Sequence, residues 1–301
     1  MRPNIYSLYY SVSLLAIVLI SSLSSCKVEE SYIPSFVRVD SVSVNAESIG
    51  GNPIQQLTAL QVYQGNQTVG TFPIPCKFPI DPRVKDKLSF VGYINNNGST
   101  QSVIPLRSLS NYDTSVNWQE DSIYNINPVF NYRNNTDLLW QDDFESGNST
   151  LIGYRYSSSD SLQVNTVDFD IDGRFMGKTK AFSLKIAESD TIKYLDIGYF
   201  EKFSSIPSDR EVFFEFDLKS ELVVSVALKR YYANGGEEYV PYFSVYPTGD
   251  KWKRLYSNFI YEIQGQPSGT LYEILFSVDV PADYTGNREI LIDNIRLTYL
   301  K

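Results

Sequence analysis

Tyrosines and carboxylates are the side chains of this sequence that could do chemistry. The chain holds 23 Tyr and 35 Asp and Glu residues but no His. The absence of His excludes Ser-His-Asp and Cys-His catalysis and every histidine metal site. Two carboxylates hydrolyse a glycosidic bond only when they face each other across a sugar, and nothing in the sequence singles out such a pair. We therefore interpret the chain as a binding protein and not an enzyme.

The predicted ligand or partner site lies in two tyrosine-rich stretches. Aromatic rings beside carboxylates suit the apolar faces and the hydroxyls of sugars. The same rings could instead anchor a protein partner, or lie half-buried in a sheet with only the hydroxyl in water. The candidates are Tyr154, Tyr156, Tyr231, Tyr232 and Tyr242, with Tyr239 in the same stretch as the last three.

The elements that must position these tyrosines are predicted to be strands. Aromatic and β-branched residues with Gly, Asn and Pro between them favour an all-β chain. With 301 residues the chain is long enough for two domains behind a signal peptide. We predict two β-sandwich domains in series, at residues 33–130 and 139–301, joined by a polar linker at 131–138.

The first domain is predicted to contain about six short strands. Gly65-Asn66 and the run Asn95-Asn96-Asn97-Gly98 each separate two strand-like stretches, which indicates hairpins. The prolines at 73, 75, 79 and 82 exclude a central strand there. Short strands at this spacing favour an immunoglobulin-like sandwich.

The second domain begins near Trp140-Gln141-Asp142-Asp143-Phe144-Glu145 and ends with Ile290-Leu291-Ile292-Asp293-Asn294-Ile295. In between, apolar and charged residues alternate along 214–219, as in a strand. This order resembles the jelly-roll modules common among carbohydrate-binding modules and galactose-binding-like domains. The resemblance implies a structural calcium ion held partly by Glu145 and Asp293. Calcium takes six to eight oxygen ligands, so these carboxylates would be only part of its shell. The alternative is that Glu145 is solvated and Asp293 caps a turn.

The acidic run Asp168-Phe169-Asp170-Ile171-Asp172-Gly173 is similar to the first half of a calcium-binding loop. The twelfth position of that loop would be Thr179, where a helix–loop–helix site needs a bidentate Glu. Apolar residues also alternate strictly with the acids. We therefore favour a strand with an acidic exposed face that ends in a glycine turn.

The N-terminal 25 residues have the layout of a secretory signal peptide, with Arg2, an apolar run and small residues before Cys26. Leu23-Ser24-Ser25-Cys26 resembles a bacterial lipobox, which implies lipidation of Cys26 and a tether at 26–32. The following Lys27-Val28-Glu29-Glu30 resembles the export signal of surface lipoproteins in the Bacteroidota. We therefore predict a lipid-anchored outer-membrane protein, displayed on the cell surface.

The charge of the chain excludes some classes of partner, and its two cysteines limit the possible disulfides. The net charge of −9 opposes binding to nucleic acid or anionic lipid surfaces. If Cys26 carries lipid, Cys76 has no disulfide partner within the chain, and we interpret it as a small buried apolar residue. No cofactor is required by any motif.

Four tripeptides resemble the O-glycosylation sequon of Bacteroidota envelope proteins. The residues that would carry the glycans are Ser41, Ser122, Ser161 and Thr191. Glycans at these positions would mark solvent-facing sites.

Taken together, the sequence predicts a non-catalytic outer-membrane lipoprotein that acts as an accessory binding subunit of an outer-membrane protein complex. The alternative is a glycan-binding lipoprotein of a polysaccharide-uptake system. Fold resemblance supports the alternative, but fold by itself does not determine function.

Overall fold

A computed structural model describes residues 32–46, 49, 56–155, 161–171, 174–187, 194–204, 206–286 and 288–301. The predicted signal peptide, the lipidation site Cys26, and the tether up to residue 31 lie outside the described residues. Within these ranges, none of the helices has both the length and the apolar character needed to cross a bilayer.

Strands of the first part of the chain form three small sheets. They are β1 (Ser35–Val39), β2 (Ser43–Asn45), β3 (Ala59–Gln64), β4 (Gln67–Pro73), β5 (Cys76–Ile80), β6 (Leu88–Asn95), β7 (Val103–Pro105), β8 (Tyr112–Thr114), β9 (Ile123–Asn125) and β10 (Val129–Asn131). The sheet orders are β5-β1-β9, β10-β2 and β4-β3-β6-β7, with β8 also paired to β6. Their inward side chains share one core, which includes Val37, Leu60, Phe78, Phe90 and Phe130.

Both predicted hairpins of this part are confirmed. Strands β3 and β4 pair antiparallel around Gly65, whose φ of +59° is the left-handed conformation that favours glycine. Strands β6 and β7 pair antiparallel across the asparagine-rich turn. Pro79 lies in β5, at the edge of its three-stranded sheet, where the missing N–H breaks no ladder.

The second part of the chain forms two larger sheets. Its strands are β11 (Thr136–Asp142), β12 (Leu151–Arg155), β13 (Ser161–Ile171), β14 (Arg174–Lys185), β15 (Tyr194–Tyr199), β16 (Val212–Ser220), β17 (Val223–Tyr231), β18 (Glu237–Val245), β19 (Lys253–Asn258), β20 (Leu271–Asp279) and β21 (Glu289–Leu300). One sheet has the order β13-β14-β21-β16-β19, with β11 also on β21. The other has the order β12-β15-β20-β17-β18. A four-residue helix, α1 (Ile260–Ile263), follows β19.

These two sheets enclose a single apolar core between them. Phe214, Phe216 and Leu218 of β16 point into it from the six-stranded sheet. Val224 and Val226 of β17 point into it from the five-stranded sheet. Alternation along each strand sends the intervening residues to the outer faces, as side chains of period two require. The prediction of an all-β chain built from sandwiches is confirmed.

A bulge bends the closing strand β21 in the middle. Both Ile292 and Ile295 are fully buried, although a regular strand would point residues three apart to opposite faces. Asn294 is the bulged residue and adopts a left-handed conformation, with a φ of +48°. Its side-chain amide donates to Asp217 Oδ2 at 2.8 Å. The bulge thereby leaves Asp293 on the outer side of this sheet, away from the core.

The segment predicted as a linker, 131–138, carries regular structure at both ends. Asn131 ends β10 and residues 136–138 begin β11. Between them, Tyr132 is buried and inserts its hydroxyl among charged side chains of the second sandwich. It accepts a hydrogen bond from Arg296 Nη1 at 2.8 Å, and Arg254 Nη2 reaches Glu215 Oε2 at 2.9 Å beside it. The two parts of the chain therefore meet through a buried, hydrogen-bonded junction.

Candidate functional site

The candidate site is a cleft of about 450 Å³ on the outer face of the five-stranded sheet. All five strands of this sheet contribute to its wall. The lining residues are Tyr154, Tyr194, Asp196, Lys229, Tyr231, Tyr239, Glu273 and Leu275. We call this feature the tyrosine cleft.

Alternation along the strands explains why these residues face outward together. In β15, Leu195 and Ile197 lie in the core, so Tyr194 and Asp196 point to the opposite face. The same rule turns Glu273 of β20 outward. Cross-strand pairing then places Lys229 beside Glu273 on one side and beside Tyr239 on the other. Residues far apart in the sequence thus form one surface.

One end of the tyrosine cleft is organised by Glu273, whose side chain is almost buried. The Tyr231 hydroxyl donates to Glu273 Oε2 at 2.5 Å. Burial, reinforced by the nearby Glu273 carboxylate, raises the pKa of Tyr231 to about 12. The Tyr231 ring is also covered by cations, with Lys202 Nζ 3.4 Å and Lys229 Nζ 4.7 Å from its centroid. Tyr231 is therefore a fixed wall of the cleft.

The other end is organised by Asp196. Ser277 Oγ donates to Asp196 Oδ1 at 2.5 Å, and the Tyr239 hydroxyl shares a 2.8 Å hydrogen bond with the same Ser277 Oγ. The hydroxyls of Tyr194 and Tyr239 share a further bond of 2.7 Å. Burial and neighbouring groups raise the pKa of Tyr194 above its ordinary value, so its hydroxyl stays protonated at neutral pH. This chain of bonds fixes both tyrosine rings by their hydroxyl ends.

Tyr154 reaches across the sheet because residue 198 is a glycine. A Cβ at Gly198 would lie 3.1 Å from Tyr154 Cε2 and only 2.6 Å from Leu275 Cδ2. The tyrosine ring therefore comes close to the backbone at residue 198, and its hydroxyl donates to the carbonyl oxygen of Tyr199 at 2.9 Å. Burial and the nearby Glu273 raise the pKa of Tyr154.

The arrangement suits binding of a polyhydroxylated ligand. Tyr154 and Tyr239 are 48% and 41% exposed, so their rings have surface available for contact. The two carboxylates offer acceptor lone pairs, and the tyrosines supply apolar surface held in place by hydrogen bonds. These are the two kinds of contact that a sugar ring needs.

The two carboxylates stand at different levels of the sheet. Asp196 pairs with Ser277 across the sheet, and Glu273 stands four residues before Ser277 on the same strand. Their Cα atoms are therefore roughly 13 Å apart along the strand direction. Each carboxylate accepts a hydrogen bond from a neutral hydroxyl, Ser277 or Tyr231.

The structure separates the tyrosines that the sequence grouped together. Tyr154 and Tyr231 line the tyrosine cleft. Tyr232 instead donates to Glu238, outside the cleft. Tyr242 packs against Phe259 of the core and donates to the Asn258 carbonyl oxygen at 2.7 Å, so it also lies elsewhere. Tyr156 lies outside the described residues.

Five lining residues were not identified from the sequence. They are Tyr194, Asp196, Lys229, Glu273 and Leu275. For two of them the sequence contains a usable pattern, because Tyr194 and Asp196 alternate with the apolar Leu195 and Ile197. This alternation predicts that Tyr194 and Asp196 face outward, but it does not predict which strands lie beside them.

The two residues predicted to bind calcium lie close together, Asp293 on β21 and Glu145 in the turn after β11. Thr179 Oγ1 lies 2.8 Å from Glu145 Oε1 and 2.9 Å from Asp293 Oδ2, and its single hydrogen serves one of the two carboxyl groups at a time. Burial, with the neighbouring carboxylates of Asp217 and Glu145, raises the pKa of Asp293 to about 8. Asp293 is buried and Glu145 is exposed, and two carboxylates and a hydroxyl that meet in this way are suitable ligands for calcium. In the described ranges, however, no three Asp, Glu or Cys side chains are grouped as a metal site. The other ligands would have to be backbone oxygens or water.

Residues 168–171 of the acidic run form the end of β13, which pairs with β14. Asp168 pairs with Lys178 across β13 and β14, and both side chains are largely exposed. Residues 172 and 173 lie outside the described part of the chain. The strand interpretation is confirmed for Asp168 and Asp170.

The predicted glycosylation residues occupy varied surroundings. Ser41 is exposed. Ser122 is half-buried and donates to the Glu120 carbonyl oxygen at 3.2 Å. Ser161 is half-buried at the start of β13, and Thr191 lies outside the described residues. Modification at the four sites stays a prediction.

Cys76 is half-buried against the first core, with a pKa raised by burial, which agrees with its interpretation as a small packing residue.

Comparison with known proteins gives distant structural similarities. No family model and no curated protein matches the chain. The C-terminal family 22 carbohydrate-binding module of Clostridium thermocellum Xyn10B is 12% identical, with a TM-score of 0.35, over 54% of this chain and 93% of that module. The xylan-binding family 22 module of Paenibacillus barcinonensis Xyn10C is 13% identical, with a TM-score of 0.35, over 54% of this chain and 99% of the module. A family 11 module of C. thermocellum, in complex with a β-1,3-1,4-mixed-linked tetrasaccharide, is 18% identical, with a TM-score of 0.35, over 54% of this chain and 94% of the module.

Proposed function

We propose that the chain is a non-catalytic glycan-binding protein, and that the tyrosine cleft holds the sugar. The observation that carries the proposal is the convergence of four tyrosines and two nearly buried carboxylates from five strands onto one surface. Aromatic rings with fixed hydroxyls pack on sugar faces at little entropic cost. Among the two functions considered from the sequence, the cleft favours glycan binding over docking of a protein complex.

The proposed location follows from the N-terminal sequence. Lipidation of Cys26 would anchor the protein in the outer membrane, and the acidic tether behind it supports display at the cell surface. Several acyl chains hold a protein far more firmly than one, since each buried methylene contributes about 0.8 kcal/mol. A surface-anchored glycan binder would serve polysaccharide capture.

Glycan binding is tested by affinity electrophoresis of the purified mature chain in gels that contain soluble polysaccharides. The panel includes neutral β-glucan, xylan, mannan and galactan, with gels lacking polysaccharide as the reference. We expect retardation by at least one polymer, reduced in Tyr239→Ala and retained in Tyr232→Ala. Migration that no polysaccharide changes would overturn the proposal.

The anchor is tested separately. Membrane fractions from cells that produce the chain should contain the wild type, whereas Cys26→Ala should be recovered in soluble form. Accessibility of the anchored wild type to protease added to intact cells would support surface display. Membrane association of Cys26→Ala equal to that of the wild type would contradict lipid anchoring.

We also propose a structural calcium ion at Glu145 and Asp293, with Thr179 beside them. When bound, the ion would neutralise the buried Asp293 carboxylate and the exposed Glu145 carboxylate beside it. Its role would be to stabilise the second sandwich.

A further inference from the structure

The charge of the tyrosine cleft has a consequence for which glycans it accepts, provided that the proposed function holds. Its two carboxylates, Glu273 and Asp196, are only 3% and 8% exposed. Among the described side chains, neither forms an ion pair within 4.0 Å. Each carboxylate instead accepts a hydrogen bond from a neutral hydroxyl, Tyr231 or Ser277. The negative charge at both ends is therefore only partly compensated.

The cations near the cleft are already engaged. Lys229 is the one cation among the lining residues, and its ammonium pairs with Glu237 at 2.7 Å. Lys202 lies over the Tyr231 ring at one end. No cation lines the Asp196 end of the cleft among the described residues. A ligand carboxylate would consequently meet negative charge along most of the cleft.

We propose that the tyrosine cleft selects neutral glycans and rejects glycans that carry carboxylates. A sugar hydroxyl can donate a hydrogen bond to the remaining lone pairs of Glu273 and Asp196, whereas a uronate carboxylate can only accept. Like charges several ångströms apart in a partly desolvated site also repel one another. Together these effects should weaken binding of an acidic glycan by about tenfold relative to its neutral counterpart at low salt.

The test compares matched neutral and acidic polymers on the full mature chain. The neutral polymers are β-glucan, mannan and galactan, and their partners are the same polymers oxidised at C6 to carboxylates. Xylan is compared with glucuronate-substituted xylan. Dissociation constants are measured by affinity electrophoresis or calorimetry at about 20 and 500 mM salt. We expect the neutral form of each bound polymer to bind about tenfold more tightly at low salt, with a smaller difference at high salt.

Charge-removing variants identify the residues responsible. In Glu273→Gln and Asp196→Asn, the ratio of neutral to acidic affinity should fall towards one, whatever the absolute affinities become. Glu120→Gln is the matched control, because Glu120 is an exposed carboxylate in the first sandwich and its loss changes the net charge equally. In Glu120→Gln the ratio of neutral to acidic glycan affinity should stay at the wild-type value.

The outcomes separate the inference from the function on which it rests. Binding of the acidic polymers as tightly as the neutral ones would overturn the inference and leave glycan binding intact. An unchanged ratio in both charge-removing variants would overturn the assignment to Glu273 and Asp196. If no polymer bound in either form, the proposed function itself would be wrong.

Discussion

The hydroxyl of Tyr231 donates to Glu273 at 2.5 Å, although the two residues are 42 positions apart. The bond joins neighbouring strands β17 and β20 on the face opposite to the core. It fixes a ring and a carboxylate in one orientation before any ligand arrives. The tyrosine cleft is therefore preorganised, and its residues can be distinguished experimentally from other tyrosines nearby.

Truncation of the exposed cleft tyrosines should weaken glycan binding. Tyr154→Ala and Tyr239→Ala each remove a ring that lines the cleft, and loss of a central aromatic contact costs about 2 kcal/mol, or roughly 30-fold in affinity. Calorimetric titration with the polysaccharide that the wild type binds would measure this loss.

Tyr232→Ala is the matched control for these substitutions, because its hydroxyl bonds to Glu238 outside the cleft. We expect its affinity to stay within about twofold of the wild type, since it lines no part of the cleft. Equal losses in Tyr232→Ala and Tyr239→Ala would show that the tyrosine cleft is not the binding surface.

Gly198→Ala should both destabilise the sheet and weaken binding. The added Cβ would lie 2.6 Å from Leu275 Cδ2 and 2.8 Å from the Ile274 carbonyl oxygen. Such crowding typically costs about 1 to 3 kcal/mol, and it would displace the Tyr154 ring. Urea unfolding and glycan titration on the same preparation would measure both effects. Wild-type stability together with wild-type affinity would contradict the close packing of Tyr154 on residue 198.

Asp293 should make stability depend on pH. Burial and nearby carboxylates raise its pKa to about 8 in the folded chain, whereas an unfolded Asp titrates near about 3.9. The folded state thus binds more protons between these values. The contribution of Asp293 to stability is complete below about pH 4 and is lost as the pH rises through 8, by at most about 1.4 kcal/mol per pH unit.

The measurement is the unfolding free energy of the wild type and of Asp293→Asn from pH 4 to pH 9. The difference between them should change in favour of the variant as the pH rises, because Asn carries no proton to lose. A difference that is independent of pH would mean that Asp293 is ionised in the folded chain at all these values.

If Glu145 and Asp293 bind calcium, the ion should oppose the loss of folding stability that occurs as Asp293 ionises. Millimolar calcium at pH 8 should raise the melting temperature of the wild type, since a cation stabilises the ionised carboxylates. Glu145→Gln and Asp293→Asn should abolish the increase, while magnesium at the same concentration serves as the ionic control. An increase that persists in both variants would place the calcium elsewhere.

Tyr132→Phe should destabilise the junction between the two sandwiches. The Tyr132 hydroxyl is buried and accepts from Arg296 Nη1 at 2.8 Å, so its removal leaves a buried charged donor with one partner fewer. The expected decrease in the free energy of unfolding is about 1 to 3 kcal/mol. Tyr124→Phe is the control, because its hydroxyl bonds to backbone groups at Asn117 and Gln119 in an exposed segment. Equal urea midpoints for the two variants would contradict the role of the junction.

The sequence by itself determined the all-β architecture. Alternation of apolar and polar residues is a local property, so the hairpins around Gly65 and around the asparagine-rich turn could be predicted from short stretches. The acidic strand at Asp168 was predictable for the same reason. The predictions of a signal peptide and of lipidation at Cys26 likewise depend on contiguous residues.

The tertiary structure alone decided which tyrosines share a surface. Tyr231 and Tyr232 are adjacent in the chain, yet successive side chains of an extended segment point to opposite sides, and only Tyr231 enters the cleft. Its partner Glu273 comes from a strand whose position next to β17 depends on sheet order and register. The same holds for Tyr132, whose polar neighbours predicted a linker but whose hydroxyl lies among buried charges of the second sandwich. Strand order and register arise from contacts between distant segments, and a local pattern contains no information about them.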